Sequence, residues 1–264
     1  MAQRRLISSL MTKNKVLIFG ATGMAGHIVY YYLQNTGRYE VVNAVYRTKL
    51  TDDSIVVDVT DKDAVANLVR ETRSDLIINC IGVLIKGSKD HPDNAIFINA
   101  YFPHLLKKLA DEVGAKLIHV STDCVFSGKK GNYNESDFRD ADDIYGRSKA
   151  LGEIINDKDL TIRTSIIGPE LKLNGEGLFH WFMHQKGKVN GFTTAIWGGV
   201  TTLELAKAMD AAIVQQKTGL IQLSNGKGSS LYHGDVLASP PMEPISTASE
   251  AFAWAMASSV RGIP

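Results

Sequence analysis

The sequence has few cysteines, no long apolar run and no excess of charge of either sign. Its two cysteines, Cys80 and Cys124, are too few for a disulfide framework or a zinc site of their own. No apolar run approaches about 18 residues, the length that spans a membrane, and the first ten residues lack the apolar stretch of a secretory signal. Since 29 Lys and Arg face 28 Asp and Glu, nothing attracts the chain generally to polyanions. We therefore expect a cytoplasmic protein whose partners include neither nucleic acid nor a membrane.

Short apolar runs alternate with segments of helical period along most of the chain, whose 264 residues can bury a sizeable core. The runs at residues 76–78 and 117–120 are continuously apolar, as strands buried on both faces are. Further short runs lie at 16–19, 40–46 and 55–59. This alternation predicts an α/β fold with a doubly wound parallel sheet of the Rossmann type, whose ligand crevice lies beyond the carboxyl ends of the strands.

Three helices are marked by signals at their ends. Asp61 is an N-cap candidate for a helix over residues 64–71. Residues 94–113 have a helical period, but Pro103 should kink or break that helix, and Gly114 stands where a C-cap belongs. A polar loop at 121–143 precedes a third helix, which we predict over residues 144–156.

A glycine-rich turn follows the first predicted strand, with glycines at three-residue spacing where a helical pattern begins. Glycine reaches backbone angles closed to other residues, and a helix N-terminus offers unpaired N–H groups to an anion such as a pyrophosphate. The spacing differs from the commoner GxGxxG of dinucleotide sites, and a turn that binds nothing is the alternative. The predicted cofactor contacts of this turn are Gly20, Thr22, Gly23, Met24 and Gly26.

The residues after the second predicted strand bear on the choice between NAD and NADP. An acidic residue about 20 positions beyond the glycine turn would bind a ribose 2′-hydroxyl. This chain has Arg47 and Lys49 there, which could pair with a 2′-phosphate, so NADP is favoured over NAD. The alternative is that both are solvated loop cations. Asp58 and Val59, at the end of a short strand, could meet the adenine.

Tyr145 and Lys149 stand four residues apart and therefore share one helix face. Residues 121–123, Ser-Thr-Asp, end a predicted strand at the same sheet edge as the glycine turn. A tyrosine with a pKa of about 10 lies about 3 units from neutrality, roughly 4 kcal/mol. An ammonium about 4 Å away supplies about that much at an effective dielectric constant of about 20. We therefore expect Lys149 to make Tyr145 a usable acid or base, although such a pair alone also fits a surface helix.

Three segments together resemble a known family: GATGMAG at residues 20–26, STDCVFSG at 121–128 and YGRSKALGE at 145–153. They are similar to the extended short-chain dehydrogenase/reductases, and within these to dTDP-4-dehydrorhamnose reductases and related sugar-nucleotide reductases. The resemblance covers residues 15–228. It implies that Thr122 polarises the substrate carbonyl, that Tyr145 donates a proton, and that Lys149 tunes the tyrosine and holds the nicotinamide ribose.

The resemblance also assigns cofactor and substrate contacts elsewhere in the chain. It implies that Asp58 and Val59 contact the adenine, that the loop after the next strand contacts the cofactor, and that a proline lies near the nicotinamide. These further positions are Cys80, Ile81, Gly82 and Pro169. Asp123 is a candidate contact for a sugar hydroxyl. Cys124 stands where the rhamnose-type reductases often have a substrate-facing tyrosine, which leaves the sugar open.

The resemblance suggests how the chain is divided. We expect a leader or flexible terminus at 1–14, an NADP(H)-binding Rossmann domain at 15–169, a smaller substrate-binding lobe at 170–228 that interleaves with it, and a divergent tail at 229–264. Most aromatic residues of the lobe are expected in its core.

The implied function is reduction of a nucleotide-activated 4-keto-6-deoxy sugar with NADPH, NADH being less favoured. The expected partner is the nucleotide sugar, and a homodimer is allowed. A sugar-nucleotide epimerase and a non-catalytic NADP-binding regulatory subunit of the same fold are the alternatives. The sugar, its nucleotide and the product stereochemistry stay open.

Overall fold

The computed structural model describes residues 13–172, 175–186 and 197–225. The expected tail at 229–264 and most of the expected terminal segment at 1–14 lie outside these ranges. The strands are β1 (Asn14–Phe19), β2 (Tyr39–Val45), β3 (Ile55–Val56), β4 (Leu76–Asn79), β5 (Lys116–Thr122), β6 (Leu160–Thr164), β7 (Ile166–Ile167), β8 (Val200–Thr201) and β9 (Gly219–Leu223). The helices are α1 (Met24–Asn35), α2 (Lys62–Thr72), α3 (Ile85–Asp90), α4 (Pro92–Ala95), α5 (Phe102–Val113), α6 (Ile144–Leu151), α7 (Leu178–Met183) and α8 (Thr202–Val214).

Seven strands form one parallel sheet in the order β3-β2-β1-β4-β5-β6-β9, and β7 pairs with β8 in a separate two-stranded sheet. The order reverses between β1 and β4, which places the crevice of a doubly wound sheet beyond their carboxyl ends. The predicted fold class is confirmed.

The helices cover both faces of the sheet, so the core has two layers. Val29 and Leu33 of α1 pack with Leu205 and Met209 of α8 on one face. The other face is covered by α2 and α5, whose apolar side chains, such as Leu106, are fully buried. Burial on both faces explains why the central strands read as continuous apolar runs.

The predicted helix ends at Asp61 and Gly114 are confirmed, whereas the break expected at Pro103 is absent, since the backbone stays helical there. Asp61 Oδ1 accepts from the backbone N–H groups of residues 63 and 64, at 3.1 and 3.0 Å, and so caps α2. The predicted helix at 94–113 changes at Phe102 from a π-helical segment (Ile96–Tyr101) to α5, with Pro103 in the first turn. Gly114 ends α5 with a φ of 76°.

Two expectations need correction. The predicted helix at 144–156 ends at Leu151, and Gly152 caps it against the π-helical segment, where a Cβ atom would lie 1.9 Å from the Asn99 carbonyl oxygen. The aromatic side chains expected in the core of the lobe include Trp181 and Trp197, which are 45% and 36% exposed. Within the range predicted for the lobe, β9 is the seventh strand of the main sheet, and α8 packs against one face of that sheet. The domain division itself stays a prediction.

Within the described ranges, no helix is long and apolar enough to cross a membrane. The cytoplasmic location stays a prediction.

Candidate active site

The glycine turn after β1 is closed by backbone contacts. Gly20 has a φ of +80°, and its N–H donates to the Ala44 carbonyl oxygen in β2 over 3.1 Å. A Cβ atom on Gly20 would lie 2.8 Å from Ile81 Cγ1, and one on Gly26 would lie 2.1 Å from the Gly20 carbonyl oxygen. Because glycine has no side chain at either position, α1 can begin directly against the turn.

The N-terminus of α1 presents free donors beside this turn. Gly23 precedes the helix in an extended conformation, and in the described part of the chain no side chain caps it. The first N–H groups therefore lack a side-chain acceptor and share the positive end of the helix dipole. Thr22, Gly23 and Met24 are half-buried at this position. The cradle fits a pyrophosphate by shape and by charge.

Arg47 lies exposed after β2, with its guanidinium 4.5 Å from the centre of the Tyr46 ring and its Nη2 3.0 Å from the Tyr46 hydroxyl. Lys49 is directed elsewhere, since its Nζ donates to the Asp52 carbonyl oxygen over 2.9 Å. Of the two cations that the sequence offered for a 2′-phosphate, Arg47 is the one that makes no hydrogen bond to a carbonyl or carboxylate of the described residues, although its charge acts on the nearby Asp58.

Asp58 and Val59 follow β3. Asp58 is exposed, and its Oδ1 accepts from the Thr60 backbone N–H and hydroxyl at 2.9 and 2.7 Å. These two hydrogen bonds, first the backbone and then the side chain, lower the pKa of Asp58. The second carboxylate oxygen makes no hydrogen bond to the described residues, so it is available to a ligand.

The loop after β4, which contains Cys80, Ile81 and Gly82, lies between the glycine turn and Lys149. Cys80 N donates to the Phe19 carbonyl oxygen over 3.0 Å. Ile81 contacts the Gly20 position, as described above, and a Cβ atom on Gly82 would lie 4.0 Å from Lys149 Nζ. The structure therefore brings these three predicted cofactor contacts together with the turn and the lysine.

Asn99 was not predicted and fastens this loop to α6. Its Oδ1 accepts from Val83 N over 2.8 Å, and its Nδ2 donates to the Val83 carbonyl oxygen and to Ser148 Oγ at 2.9 and 3.1 Å. It is fully buried in the π-helical segment. An asparagine within an otherwise apolar helical run is the signal that could have identified it, and π-helical turns are frequent at functional sites.

Thr122, Asp123 and Cys124 lie where β5 ends in a short 3₁₀ turn. Thr122 Oγ1 accepts from Cys124 N and donates to Asp123 Oδ1, both at 3.1 Å. Burial raises the pKa of Asp123, although hydrogen bonds from Thr122 and Cys124 oppose it. Burial, followed by the nearby Asp123, raises the pKa of Cys124 to about 12, so this thiol is protonated.

Tyr145 stands in the first turn of α6 beside Thr122. Asp143 caps the helix by accepting from Gly146 N over 2.8 Å. A Cβ atom on Gly146 would lie 2.2 Å from the Cys124 carbonyl oxygen, so only glycine lets this turn pack on the end of β5. Thr122 lies close enough to the Tyr145 hydroxyl to act on its pKa. The structure thus brings the strand-terminal threonine and the helix tyrosine together.

Lys149 is buried behind Tyr145 and below the loop after β4. Its Nζ donates to the Val120 carbonyl oxygen over 2.7 Å and lies 3.5 Å from His119 Nε2. Burial lowers the pKa of Lys149 to about 8, although Glu153 and Cys80 act in the opposite direction.

The lowering of the Tyr145 pKa by Lys149 that the sequence led us to expect is absent from this structure. The pKa of Tyr145 is raised rather than lowered, first by burial and then by Cys124, against the effect of Thr122. The Lys149 ammonium is desolvated and directed at a backbone carbonyl. Tyr145 therefore holds its proton at neutral pH.

A buried ion pair that sequence reasoning did not predict lies below α6. Glu153 accepts from Arg163 Nε and Nη2 at 2.7 and 2.8 Å and from Ser121 Oγ at 2.8 Å. The two charged side chains are 0% and 1% exposed. Since Ser121 and Arg163 stand on β5 and β6, the pair ties the end of α6 to both strands.

Pro169 is exposed just after β7, and the structure gives it no contact with the glycine turn. Gly177, at the start of α7, does reach the turn, because a Cβ atom there would lie 2.6 Å from Met24 Cε. Trp197 Nε1 donates to Ser165 Oγ at the end of β6 over 2.7 Å. Within the ranges that the structure covers, no group of three His, Cys, Asp or Glu side chains is arranged for a metal ion.

Comparisons with known proteins identify relatives of this chain. The family model described as the RmlD substrate binding domain matches residues 14–186. A dTDP-4-dehydrorhamnose reductase of Aggregatibacter actinomycetemcomitans is 32% identical over 157 residues, which are 57% of this chain and 51% of the relative. The methionine adenosyltransferase 2 subunit beta of Bos taurus is 31% identical over 140 residues, which are 53% of this chain and 41% of the relative. The chain thus spans about half the length of the curated relatives it matches.

Among solved structures, the dTDP-4-dehydrorhamnose reductase of Bacillus anthracis in complex with NADP superimposes with a TM-score of 0.69 at 26% identity. The likeness covers 83% of this chain and 77% of that one.

Proposed function

Because the chain belongs to the RmlD substrate-binding domain family, we propose that it is a reductase that uses NADPH on a nucleotide-activated 4-keto-6-deoxy sugar. The observation that carries the proposal is the convergence of Thr122, Tyr145 and the buried Lys149 beside the glycine turn. Relatives named as dTDP-4-dehydrorhamnose reductases support the substrate class.

The cofactor proposal is supported by three features of this chain. The side-chain-free cradle at Gly20, Gly23 and Gly26 fits a pyrophosphate, and the free guanidinium of Arg47 fits a 2′-phosphate. Arg47 stands after β2, where an NAD site would carry a carboxylate, which makes NADH the less favoured cofactor. A structural neighbour in this family was solved with NADP.

The mechanism follows from the protonation state of the site. When bound, NADPH supplies the hydride for the keto carbon. Thr122 holds the substrate oxygen with its hydroxyl, which it must turn away from Asp123 Oδ1. Tyr145 then transfers its proton to that oxygen as charge develops there. The raised pKa of Tyr145 keeps the donor protonated before each turnover, whereas an alkoxide is basic enough to remove the proton.

The remaining site residues are proposed to bind. Lys149 holds the nicotinamide ribose, and Asp123 accepts from a sugar hydroxyl. Cys124 contacts the substrate as a protonated, apolar side chain, in place of an aromatic ring. The small side chain leaves more room beside Tyr145, so we propose that this position helps to select the sugar.

The test is NADPH consumption measured against a panel of dTDP-, UDP- and GDP-linked 4-keto-6-deoxy sugars. We expect oxidation of NADPH with at least one member and formation of the corresponding 4-hydroxy sugar. An epimerase would instead interconvert two sugar nucleotides without net consumption. If the protein binds NADPH but oxidises it with none of the sugars, the proposal that it is a reductase is refuted.

Two variants separate chemistry from binding. Tyr145→Phe keeps the ring, so NADPH affinity should change by less than about 1 kcal/mol, while kcat should fall at least about 100-fold with the proton donor gone. Lys149→Ala should weaken NADPH binding as well as turnover. A Tyr145→Phe protein that reduces a proven substrate at the wild-type rate would contradict the assigned role.

A non-catalytic regulatory subunit is the second candidate, because one relative at 31% identity is a methionine adenosyltransferase subunit beta. Such a subunit would bind NADPH, leave every sugar unchanged and bind a methionine adenosyltransferase catalytic subunit in size-exclusion chromatography. The panel above therefore decides between the two candidates.

We also propose a homodimer, since apolar side chains of α6 and the segment after it are exposed, with Leu151 at 68% and Ile155 at 57%. The molar mass from light scattering should be twice that of the 28.9 kDa chain. A monomer at micromolar concentration would refute this proposal.

A further inference from the structure

His119 is fully buried on β5, and the mechanism above gives it no part. Its two ring nitrogens meet different groups. Nδ1 lies 3.1 Å from Asn79 Nδ2, and Nε2 lies 3.5 Å from Lys149 Nζ. The ring therefore connects the end of β4 to the lysine of the candidate site.

The orientation of the Asn79 amide is fixed by its second contact. The Ile81 backbone N–H, which can only donate, lies 3.0 Å from Asn79 Oδ1, so that atom must be the oxygen. The amide nitrogen then faces His119, and an amide NH₂ group only donates. His119 Nδ1 must accept this hydrogen bond and therefore carries no proton.

A histidine with a bare Nδ1 is neutral and carries its proton on Nε2. Burial and the nearby Lys149 also lower the pKa of His119, which favours the neutral ring. The Nε2–H consequently points at Lys149 Nζ. An ammonium has three donors and no acceptor, whereas a neutral amine has a lone pair that can accept this proton. The contact thus favours the amine and disfavours the ammonium.

We propose that His119, held by Asn79 as the Nε2–H tautomer, is a positioning residue that sets the charge of Lys149. The tautomer follows from contacts alone, while its catalytic consequence rests on the proposed function, in which Lys149 holds the nicotinamide ribose. Two other titratable groups act on the lysine: the Cys80 thiol from the loop after β4, and the Glu153 carboxylate just after α6. Cys80 and Glu153 both favour the ammonium, so His119 opposes them.

The tautomer can be read directly by ¹⁵N NMR on the wild-type protein labelled at histidine. His119 should show a pyridine-like Nδ1 and a protonated Nε2 from pH 6 to 8, and its signals are identified by their loss in His119→Phe. A protonated Nδ1, or an imidazolium in this range, would overturn the proposal. Asn79→Asp replaces the donor with an acceptor and should reverse the tautomer.

The charge of Lys149 is measured by ¹³C NMR of protein labelled at the lysine ε-carbon, with the signal assigned by its loss in Lys149→Met. In His119→Phe the pKa of Lys149 should rise by about one unit, because a donor facing the ammonium is gone. His91→Phe is the matched control, since that ring is exposed at the end of α3, and it should leave the lysine unchanged. An unchanged or lowered lysine pKa in folded His119→Phe would overturn the proposal. If that variant fails to fold, the Lys149 titration is read in His119→Leu, which lacks the same donor and adds no charge, so the pKa should likewise rise.

The pH dependence of NADPH affinity separates this proposal from the proposed function. In the wild type, affinity should decline as Lys149 loses its proton, and in His119→Phe the decline should move to higher pH by the same shift. A wild type that binds NADPH at no pH would refute the proposed function and leave the NMR result standing. Normal binding with identical profiles for the two proteins would refute the role of His119.

Discussion

Replacing Glu153 with glutamine should destabilise the protein more than any single change of a surface charge. The carboxylate is fully buried and receives four hydrogen bonds, the fourth from Arg139 Nη1 at 3.0 Å. Glutamine fits the same volume but leaves the buried guanidinium of Arg163 without an anion. It also presents an NH₂ group to donors that need an acceptor.

The expected cost is about 3 to 5 kcal/mol, the usual result of removing one partner of a buried ion pair. A domain of this kind is stable by only about 5 to 15 kcal/mol, so Glu153→Gln should lose a large share of that. The pair Glu153→Met with Arg163→Met removes both charges and should recover most of the loss. Glu112→Gln is the control, because its partner Arg70 is 53% exposed and such a pair contributes at most about 1 kcal/mol.

The assay is urea unfolding followed by circular dichroism, with the midpoint and slope compared among the four proteins. A Glu153→Gln protein no less stable than Glu112→Gln would refute the assignment of a buried, uncompensated charge. A double variant less stable than the single one would show that the loss comes from packing instead.

Arg47→Ala should weaken NADPH binding by about 1 to 3 kcal/mol and leave NADH nearly unchanged, with Lys49→Ala as the control that changes neither in fluorescence titration. Gly26→Ala should abolish cofactor binding in a folded protein, because the added methyl group would lie 2.1 Å from the Gly20 carbonyl oxygen. The lowered pKa of His119 means that its contribution to stability is complete above about pH 6.5 and is lost as pH falls towards its folded pKa, at up to about 1.4 kcal/mol per unit. His119→Phe should lose less stability than the wild type between pH 7 and 5 in urea unfolding, and equal losses would argue against a buried neutral ring.

The central strands could be predicted because strands buried on both faces consist of continuous apolar residues. The seventh strand of the sheet, β9, has no such pattern. β9 pairs with β6 in register from Leu160 opposite Gly219, about 60 residues apart along the chain, and all five of its residues are only half-buried. Pairing between strands so far apart in sequence is set by the folded sheet and cannot be read from a local pattern.

The end of α6 shows the same limit. Helical period continues past Leu151, yet the chain turns at Gly152, against the π-helical segment. The turn sends Glu153 inward to Arg163. Sequence periodicity indicates which face of a helix is buried, whereas the end of α6 lies against the π-helical segment, some 50 residues earlier in the chain.

The structure brings together residues that the sequence proposed for the site, whereas their charges could not be predicted. The spacing of Tyr145 and Lys149 and the strand-terminal Thr122 placed three side chains at one sheet edge, because parallel topology brings those strand ends together. Their protonation depends on burial and on His119, which stands outside the Tyr-x-x-x-Lys pattern. Two chains with the same pattern can therefore hold the lysine in different charge states. In this chain a protonated Tyr145 and a Lys149 with a pKa of about 8 suit donation of a proton, which is the direction that reduction of a carbonyl requires.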